Sequence, residues 1–516
     1  MFNSVPAYTA GIKIVRRVVK EEEEELDPVK KKLVDLLGAK NVSDDPGVLA
    51  EYAKDKSFTP ELAPSYVVKP KTAEEVEALV KLANEEDLPL IPVSSKGPHY
   101  KGDTVPTAPG AAIVDLSGMK KVVMINRTHR IAIVEPGVTW SEFIEALSKE
   151  KMFVNMPVAP RAGKSVLASV LETEPAVNAL HKWCFLDPLR CLEVTWGDGR
   201  RMWTGEAGAS AMDLKQQWKE DKWQWEAVGP FMLDYYRMMA GAQGTMGIAT
   251  WASVRCELAP QAQKHFIVPA KTLDALVPFA YKVLRNRLSD TFFIMNKAQL
   301  AYLMSKDADD VKALKEKLPP WAAIVGVCGR DFLPEMRVDQ QETDIDAIAQ
   351  SFGLQLLASV PGVKGNEIQE KILKPCEEGK YWKETYKGAF QDIFFENTLD
   401  NAGKFVDKMY ELAEAASYDL ADVGVYLQPQ NMGTSYHISF TLPYNADCCK
   451  ETKIVKALFE KASIEFATLG AYYLRPYGIW SRIQLNKDAT SYEALLKLRK
   501  IFDPKGIMNP GKLIRN

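Results

Sequence analysis

The spacing of apolar residues predicts a chain of alternating helices and strands. From Val76 to Ala83 the apolar positions recur at helical spacing, and Thr72 with Glu75 three residues later forms a predicted capping box. A short apolar run over 88–93 follows and predicts a buried strand. The next loop, SSKGPHYKGD, therefore lies at the end of a β-α-β unit.

Two regions of the chain differ in this pattern. Residues 111–258 contain β-branched runs bounded by turn residues, including a predicted hairpin within 191–205. After Pro260 the glycine-rich turns disappear, and this change predicts a second domain. The clearest amphipathic helices beyond that point are predicted at 273–288, 399–416, 454–469 and 492–502.

Composition and charge narrow the class of protein. Of the 516 residues, 47% are hydrophobic and 26% are charged, which is typical of a globular protein. The 65 basic and 68 acidic residues nearly balance, so we expect neither a nucleic acid nor an anionic membrane surface as a partner. The apolar runs are far shorter than the roughly 18 residues of a membrane helix, which predicts no membrane span.

The cysteines and histidines indicate the compartment and the chemistry. The seven cysteines show no C-x-x-C spacing, which argues against a zinc ribbon or an iron–sulfur cluster, and the five histidines show no metal-ligand spacing. We therefore predict no metal site. The N-terminal residues lack the apolar segment of a signal peptide, and the sparse cysteines are typical of reduced thiols. Both features predict a cytoplasmic protein.

The loop SSKGPHYKGD is the first candidate binding element. Its backbone N–H groups and the Lys96 ammonium suit a phosphate, but it is neither a G-x-G-x-x-G nor a P-loop motif. An ordinary surface turn is the alternative interpretation of this loop taken alone.

Further motifs follow along the chain, and together they favour a binding loop over an ordinary surface turn. They are EPGV at 135–138, GKSV at 163–166, TGEAGA at 204–209, GTMGIAT at 244–250 and DPKGIMNPGK at 503–512. In this order they resemble the flavoproteins of the vanillyl alcohol oxidase and 4-cresol dehydrogenase family. The resemblance covers about 60–258 and 470–516, with a fainter match between.

The resemblance implies the fold and the cofactor. The expected class is α+β, with a two-subdomain FAD-binding domain and an α+β cap domain over the flavin. The expected divisions are an N-terminal extension and helix at 1–59, the FAD-binding domain at 60–258, the cap at 259–477, and a C-terminal return to the FAD domain at 478–516. FAD is the implied cofactor.

The family motifs also imply the FAD contacts. The first loop would cradle the pyrophosphate, a second loop would line the cofactor, and a third would meet its adenine end. The implied residues are Ser94, Ser95, Lys96, Gly97, Pro98 and His99, then Gly163, Ser165, Val166, Ala168 and Glu172, then Gly247 and Ile248. No histidine lies between His265 and His437, so we predict dissociable FAD, with a tyrosyl link through Tyr386 or a link through His99 as alternatives.

In that family a phenolate is bound by tyrosines and an arginine, and hydride passes from the para-benzylic carbon to flavin N5, which gives a quinone methide. Tyr100, His437 and Arg475 match the family's site residues, and Tyr473 or Tyr477 would supply the second tyrosine. Three positions depart from the pattern: Leu474 replaces a tyrosine, Pro160 replaces an aspartate near N5, and Gln428 stands where some members have an acid.

Structural interpretations of the same residues stay open. Arg475 can form an ion pair at a domain junction, His437 can be satisfied by the backbone, and Tyr100 can belong to ordinary loop packing.

The predicted function is FAD-dependent oxidation of a para-substituted phenol or aromatic alcohol. One alternative is a D-2-hydroxy-acid dehydrogenase of the same superfamily, although the sequence has no H-x-x-G-x-x-H motif. Another is a flavin-binding subunit without its own substrate. The electron acceptor stays open among O₂, a cytochrome and an electron-transfer flavoprotein, and a homo-oligomer is expected from the family.

Overall fold

The computed structural model describes residues 27–178, 189–220, 224–229 and 234–513. These residues form three large sheets with helices packed against them, which confirms the α+β class. The predicted N-terminal extension is thus described only from residue 27 onwards.

The first sheet contains the predicted β-α-β unit. Its elements are α1 Pro28–Leu37, β1 Val42–Ser43, α2 Pro46–Ala53, β2 Tyr66–Val68, α3 Ala73–Glu85, β3 Leu90–Val93 and β4 Ala112–Asp115. The strand order is β1-β2-β4-β3, with β2, β4 and β3 parallel. The Thr72 hydroxyl accepts from Glu75 N at 3.1 Å, as predicted, but the Glu75 carboxylate accepts from Lys71 N at 2.6 Å. The capping box therefore forms only in part.

The second sheet is antiparallel, with the order β5-β6-β10-β8-β9. Gly199 turns the β8–β9 hairpin with a φ of +83°, which confirms the predicted hairpin. The bounds in this region are β5 Val122–Asn126, β6 Ile131–Val134, α4 Trp140–Lys149, β7 Met152–Phe153, α5 Val166–Leu171, β8 Leu189–Trp196, β9 Arg201–Trp203, α6 Glu206–Ala209, α7 Leu214–Glu220, α8 Tyr236–Met239, β10 Gly247–Arg255 and β11 Glu257–Leu258.

The third sheet is also antiparallel and has the order β12-β14-β13-β18-β19-β17. The bounds here are β12 Ala262–Ala270, α9 Val277–Arg285, β13 Thr291–Asn296, α10 Lys297–Met304, α11 Ala308–Lys317, β14 Trp321–Gly329, α12 Pro334–Ser351, β15 Ser359–Val360, β16 Val363–Lys364, α13 Gly365–Ile372, β17 Ala389–Asn397, α14 Leu399–Ala415, β18 Gly424–Gln430, β19 Ser435–Tyr444 and α15 Cys449–Thr468.

Alternate residues of this sheet enter two different cores. On β14, Ala323, Val325 and Val327 pack with helices α9, α12, α14 and α15, whereas Ala322 and Ile324 pack with α10, α11 and α13. This alternation follows from the period of two in a strand. Helices α14 and α15 confirm two of the predicted amphipathic helices.

The last segment returns to the first two sheets. It contains α16 Ile479–Leu485 and α17 Ala489–Phe502. The Phe502 ring lies 4.1 Å from that of Trp196, and Leu90 N donates to Ile507 O at 2.9 Å. The predicted domain boundaries themselves stay predictions. Among the described helices, none is both long enough and apolar enough to cross a bilayer.

Candidate functional site

A cavity of about 620 Å³ lies between the loops of the first two sheets and the inner face of the third sheet. Segments far apart in sequence line it: the loop after β3, the segment around α5, the start of β10, strands β17 and β19, and residues 475–481. The first three of these segments carry the predicted FAD contacts.

Hydrogen bonds join the loop after β3 to the loop before α5. Lys96 N donates to Gly163 O at 2.9 Å, Ser165 N donates to the Ser95 hydroxyl at 3.0 Å, and Arg161 Nη1 donates to Lys96 O at 3.1 Å. A Cβ on Gly163 would lie 3.0 Å from Lys96 Cβ, so glycine permits this close approach.

Of the thirteen predicted FAD contacts, seven line the cavity and six, Gly163 among them, lie outside its lining. The seven lining residues are Ser94, Ser95, His99, Ala168, Glu172, Gly247 and Ile248. Lys96, Gly97 and Pro98 are exposed at the loop tip. Ser165 caps α5 by accepting from Ala168 N at 3.0 Å and donates to Pro136 O at 2.6 Å, and Val166 is buried in the core of the second sheet.

This donor set fits FAD. Serine hydroxyls and backbone N–H groups next to glycine suit a pyrophosphate, and the cavity continues past Ile248 and under aromatic side chains. Burial lowers the pKa of His99 to about 4, so this imidazole is neutral at physiological pH.

Four charged side chains form one wall of the cavity, which we call the ionic wall: Lys101, Lys164, Glu172 and Glu174. Lys164 Nζ lies 2.6 Å from Glu172, Lys101 Nζ lies 3.0 Å from Glu174, and Lys101 also pairs with Glu172. Burial opposes ionisation of both glutamates, but the two lysines outweigh it and hold their pKa values below the ordinary range. Both glutamates are thus ionised at neutral pH.

A second wall, the cap wall, consists of a row of side chains on the third sheet and of Arg475, which packs against that row. Phe390, Asp392 and Phe394 alternate along β17 and face the cavity, and His437 and Ser439 follow on the paired strand β19. Asp392 pairs with Lys383 at 2.5 Å, and Thr441 donates to it at 2.7 Å, so its charge is compensated.

Arg475 is a buried cation of the cavity lining. It is 6% exposed, and its guanidinium carbon lies 4.2 Å from the centre of the Phe394 ring. Among the described residues it forms no ion pair, and its side chain has one polar contact, from Nη2 to His437 Nδ1 at 3.5 Å. Burial first, and Arg475 second, lower the pKa of His437 well below its ordinary value. An anionic ligand would satisfy this guanidinium.

The structure separates the predicted catalytic residues. Tyr100 packs on Phe390 with ring centres 5.1 Å apart, whereas Arg475 packs on Phe394. Four residues along a strand correspond to about 13 Å, so the two contacts lie at different ends of the row. Burial first, and the Glu384 carboxylate second, raise the pKa of Tyr100 above its ordinary value.

Tyr473 lies outside the cavity lining and corrects the expectation that it contacts the substrate. It is 1% exposed, its hydroxyl donates to Ser463 O at 2.7 Å, and its ring stacks on Trp480. The chain turns between 473 and 477, so Tyr477 faces the cavity instead. Leu474 is likewise not part of the lining.

The other departures also have defined positions. Pro160 lines the cavity and its carbonyl accepts from Cys376 N at 2.7 Å. Gln428 is fully buried within the sheet, and its amide donates to Phe292 O at 3.0 Å. Tyr386, the alternative covalent attachment point, stacks on Tyr302 and is not part of the lining.

Comparisons with known proteins agree with this geometry. The family described as FAD binding domain matches residues 64–182. The glycolate oxidase subunit GlcD of Bacillus subtilis is 22% identical over 501 residues, covering 94% of this chain and 96% of its own length. The D-2-hydroxyglutarate dehydrogenase of Stutzerimonas stutzeri is 22% identical over 480 residues, covering 91% of this chain and 95% of its own.

Solved structures give the fold. The 4-ethylphenol oxidase from Gulosibacter chungangensis superposes with a TM-score of 0.78 at 16% identity, covering 94% of this chain and 96% of its own. Substrate-bound p-cresol methylhydroxylase superposes with a TM-score of 0.77 at 18% identity, covering 95% of this chain and 96% of its own. The chain is an FAD-linked oxidoreductase with the fold of the p-cresol methylhydroxylase superfamily.

FAD is therefore the cofactor of this oxidoreductase, and the predicted two-subdomain FAD-binding domain with a cap is confirmed as its fold type. The finer assignment to the vanillyl alcohol oxidase and 4-cresol dehydrogenase family stays a prediction.

Sequence reasoning missed two residues that line the oxidoreductase's cavity, and a third that lies next to the lining. Lys101 and Glu174 adjoin predicted residues in their loops, and that adjacency was the available signal. Glu396, which lies beside His437, had no such signal because only the β17–β19 register brings the two together.

Proposed function

We propose that this oxidoreductase removes a hydride from the benzylic carbon of a para-substituted phenol or aromatic alcohol. The observation that carries the proposal is Arg475, a buried guanidinium without a carboxylate partner among the described residues, set against an aromatic ring. A phenolate oxygen at this position would supply the missing negative charge.

The lining supports a flat apolar substrate. Besides Phe394, the cavity is bordered by aromatic side chains from several elements: Tyr100, Tyr381, Trp382, Phe390, Tyr426, Tyr477 and Trp480. Aromatic rings bind one another through offset or edge-to-face contacts, and they exclude water. Both structural neighbours described above are named for phenols with a para-alkyl group, p-cresol and 4-ethylphenol.

The residues then have separate tasks. Arg475 lowers the pKa of a bound phenol because a nearby positive charge favours the anion. Tyr477, with its ring facing the cavity, is placed as a hydroxyl donor, and the row from Phe390 to Phe394 orients the ring and keeps water out. When bound, FAD supplies the two-electron acceptor for the hydride. Pro160 cannot move a proton, so this position takes no part in proton transfer.

A second candidate substrate is a D-2-hydroxy acid. It is favoured by the two sequence relatives, which match more than nine-tenths of this chain and are named for glycolate and D-2-hydroxyglutarate. Arg475 would then bind the carboxylate. A small aliphatic acid has no ring that could pack against the aromatic side chains of the lining. For this reason we rank the phenol first.

Anaerobic reduction of the bound flavin tests the choice. Under argon, p-alkylphenols should bleach the flavin absorbance of the purified holoenzyme, whereas D-lactate and D-2-hydroxyglutarate should not. Arg475→Ala should lower the rate by at least about 100-fold, in line with loss of a charge-assisted contact of about 3 kcal/mol. Dithionite should still reduce the flavin of the variant, which controls for cofactor loss. Bleaching by the hydroxy acids alone would replace the first candidate by the second.

A further inference from the structure

A largely buried carboxyl group lies beside His437, a histidine of the cavity lining. Glu396 on β17 pairs in register with His437 on β19, and Glu396 Oε1 lies 3.5 Å from His437 Nδ1. The second oxygen, Oε2, is buried and has no hydrogen-bond partner among the described residues. Arg475 Nη2 approaches the same Nδ1 atom at 3.5 Å.

The two contacts at Nδ1 require different positions of the imidazole proton. A guanidinium only donates hydrogen bonds, so a hydrogen bond from Arg475 requires Nδ1 to accept and the ring proton to be on Nε2. An ionised Glu396 would place an acceptor oxygen against the lone pair of Nδ1, with no proton between them. A protonated Glu396 removes this conflict because its O–H and the Arg475 N–H can share the single lone pair of Nδ1 as a three-centre hydrogen bond.

The electrostatic surroundings agree. Burial raises the pKa of Glu396 to about 8, against the opposing charge of Arg475. The other charged groups that act on His437 are Lys383, which precedes β17, and Lys101 and Glu174 of the ionic wall. Tyr472, from the segment before Arg475, pairs with Glu396 through its backbone.

We propose that Glu396 is a positioning residue that acts through His437. As a neutral carboxylic acid it holds, together with Arg475, the imidazole proton on Nε2, so that the cavity offers an anionic substrate an N–H donor beside the guanidinium. When Glu396 ionises, it accepts from His437 Nδ1 and competes with the substrate for Arg475. The proposal rests on the proposed function only in that an anion binds at Arg475.

The imidazole proton can be observed directly. In holoenzyme labelled with ¹⁵N-histidine, only five histidines contribute signals, and a His437→Asn variant assigns the one in question. We expect the Nε2–H tautomer at neutral pH and a change to Nδ1–H as the pH rises through about 8. Glu396→Gln keeps a donor at this position and cannot ionise, so its His437 should stay Nε2–H throughout. A tautomer in the native enzyme that does not change with pH, or the same change in the glutamine variant, would overturn the proposal.

Benzoate provides a second measurement that does not depend on phenol oxidation, because it is an anion across this whole pH range. Its binding is followed by the perturbation of the flavin spectrum. The native enzyme should lose affinity about tenfold per pH unit above the Glu396 transition, and Glu396→Gln should show no such loss. The matched control is Asp400→Asn, just beyond the end of β17 and outside the cavity lining, where the carboxylate accepts from the Tyr281 hydroxyl at 3.0 Å; this variant should keep the alkaline loss.

The outcomes separate the two proposals. Equal alkaline loss in Glu396→Gln, or its absence in Asp400→Asn, would assign the transition to another group and refute the role of Glu396. If benzoate binds as expected while phenols fail to bleach the flavin, the proposed substrate is wrong and the role of Glu396 stands. If Glu396→Gln does not retain FAD, the dependence of the His437 tautomer on pH in the native enzyme decides whether the role of Glu396 stands.

Discussion

The ionic wall and the cap wall border the same cavity, but different interactions stabilise them. On the ionic wall, charges pair with one another inside loops whose backbones are hydrogen-bonded, as between Lys96 and Gly163. On the cap wall, side chains alternate along β17 and β19, and the cation Arg475 has no ionic partner among the described residues. The first wall is internally satisfied and suits a resident cofactor. The second has a guanidinium that forms no ion pair among the described residues, and it suits a ligand that comes and goes.

If the ionic wall is internally satisfied, breaking one pair should have the largest effect on stability. Glu172→Gln removes one ion-pair partner from each of Lys164 and Lys101 at a largely buried site. We therefore expect the free energy of unfolding to fall by about 3 kcal/mol. Thermal unfolding of the holoenzyme measures it. The control is Glu145→Gln, whose pair with Lys149 is exposed and should contribute almost nothing.

The ion pairs of Glu172 should also affect how the stability of the protein depends on pH. Because the folded pKa of Glu172 is depressed, its contribution is present above the unfolded value of about 4.3 and is lost as the pH falls through the folded value. Glu172→Gln should therefore lose less stability in acid than the native enzyme does. Equal stability of Glu172→Gln and the native enzyme at neutral pH would show that the ion pairs of this wall do not stabilise the fold.

The next effect concerns the third FAD segment. A Cβ on Gly247 would lie 2.5 Å from Thr195 O and 3.0 Å from Trp196 Cα, both backbone atoms of the paired strand β8. Gly247→Ala should thus cost about 2 kcal/mol and lower the ratio of flavin to protein after purification. Gly118→Ala is the control, because a Cβ there meets nothing within 4 Å. Normal flavin content in Gly247→Ala would remove this strand from the cofactor site.

The contrast between the walls also explains what the sequence could predict. The FAD side consists of short motifs in which local glycine and serine chemistry is tied to position, so Ser95, Ala168 and Gly247 could be named in advance. The helices and the hairpin followed in the same way from local periodicity. The partial capping box at Thr72 shows the limit, since the Glu75 side chain reached Lys71 instead.

The cap side depends on strand register, which the sequence does not reveal. Glu396 meets His437 only because β17 and β19 align as they do, and Tyr100 and Arg475 contact different phenylalanines of one strand. A shift of one residue would turn every side chain of the row to the other face. For this reason the cavity-lining acids and aromatics of the cap could not be derived from spacing alone.

Tyr473 gives the smallest and most selective test of the cap wall. Tyr473→Phe removes one hydrogen bond to Ser463 O, a carbonyl inside α15 that keeps its helical partner, so we expect a loss of about 1 kcal/mol. Because the ring lies behind the cavity, the rate of flavin reduction by p-alkylphenols should not change. Tyr477→Phe is the matched substitution inside the cavity and should slow that reduction. Slower reduction in Tyr473→Phe with normal rates in Tyr477→Phe would restore the original assignment from the sequence and move the substrate site to the other side of this loop.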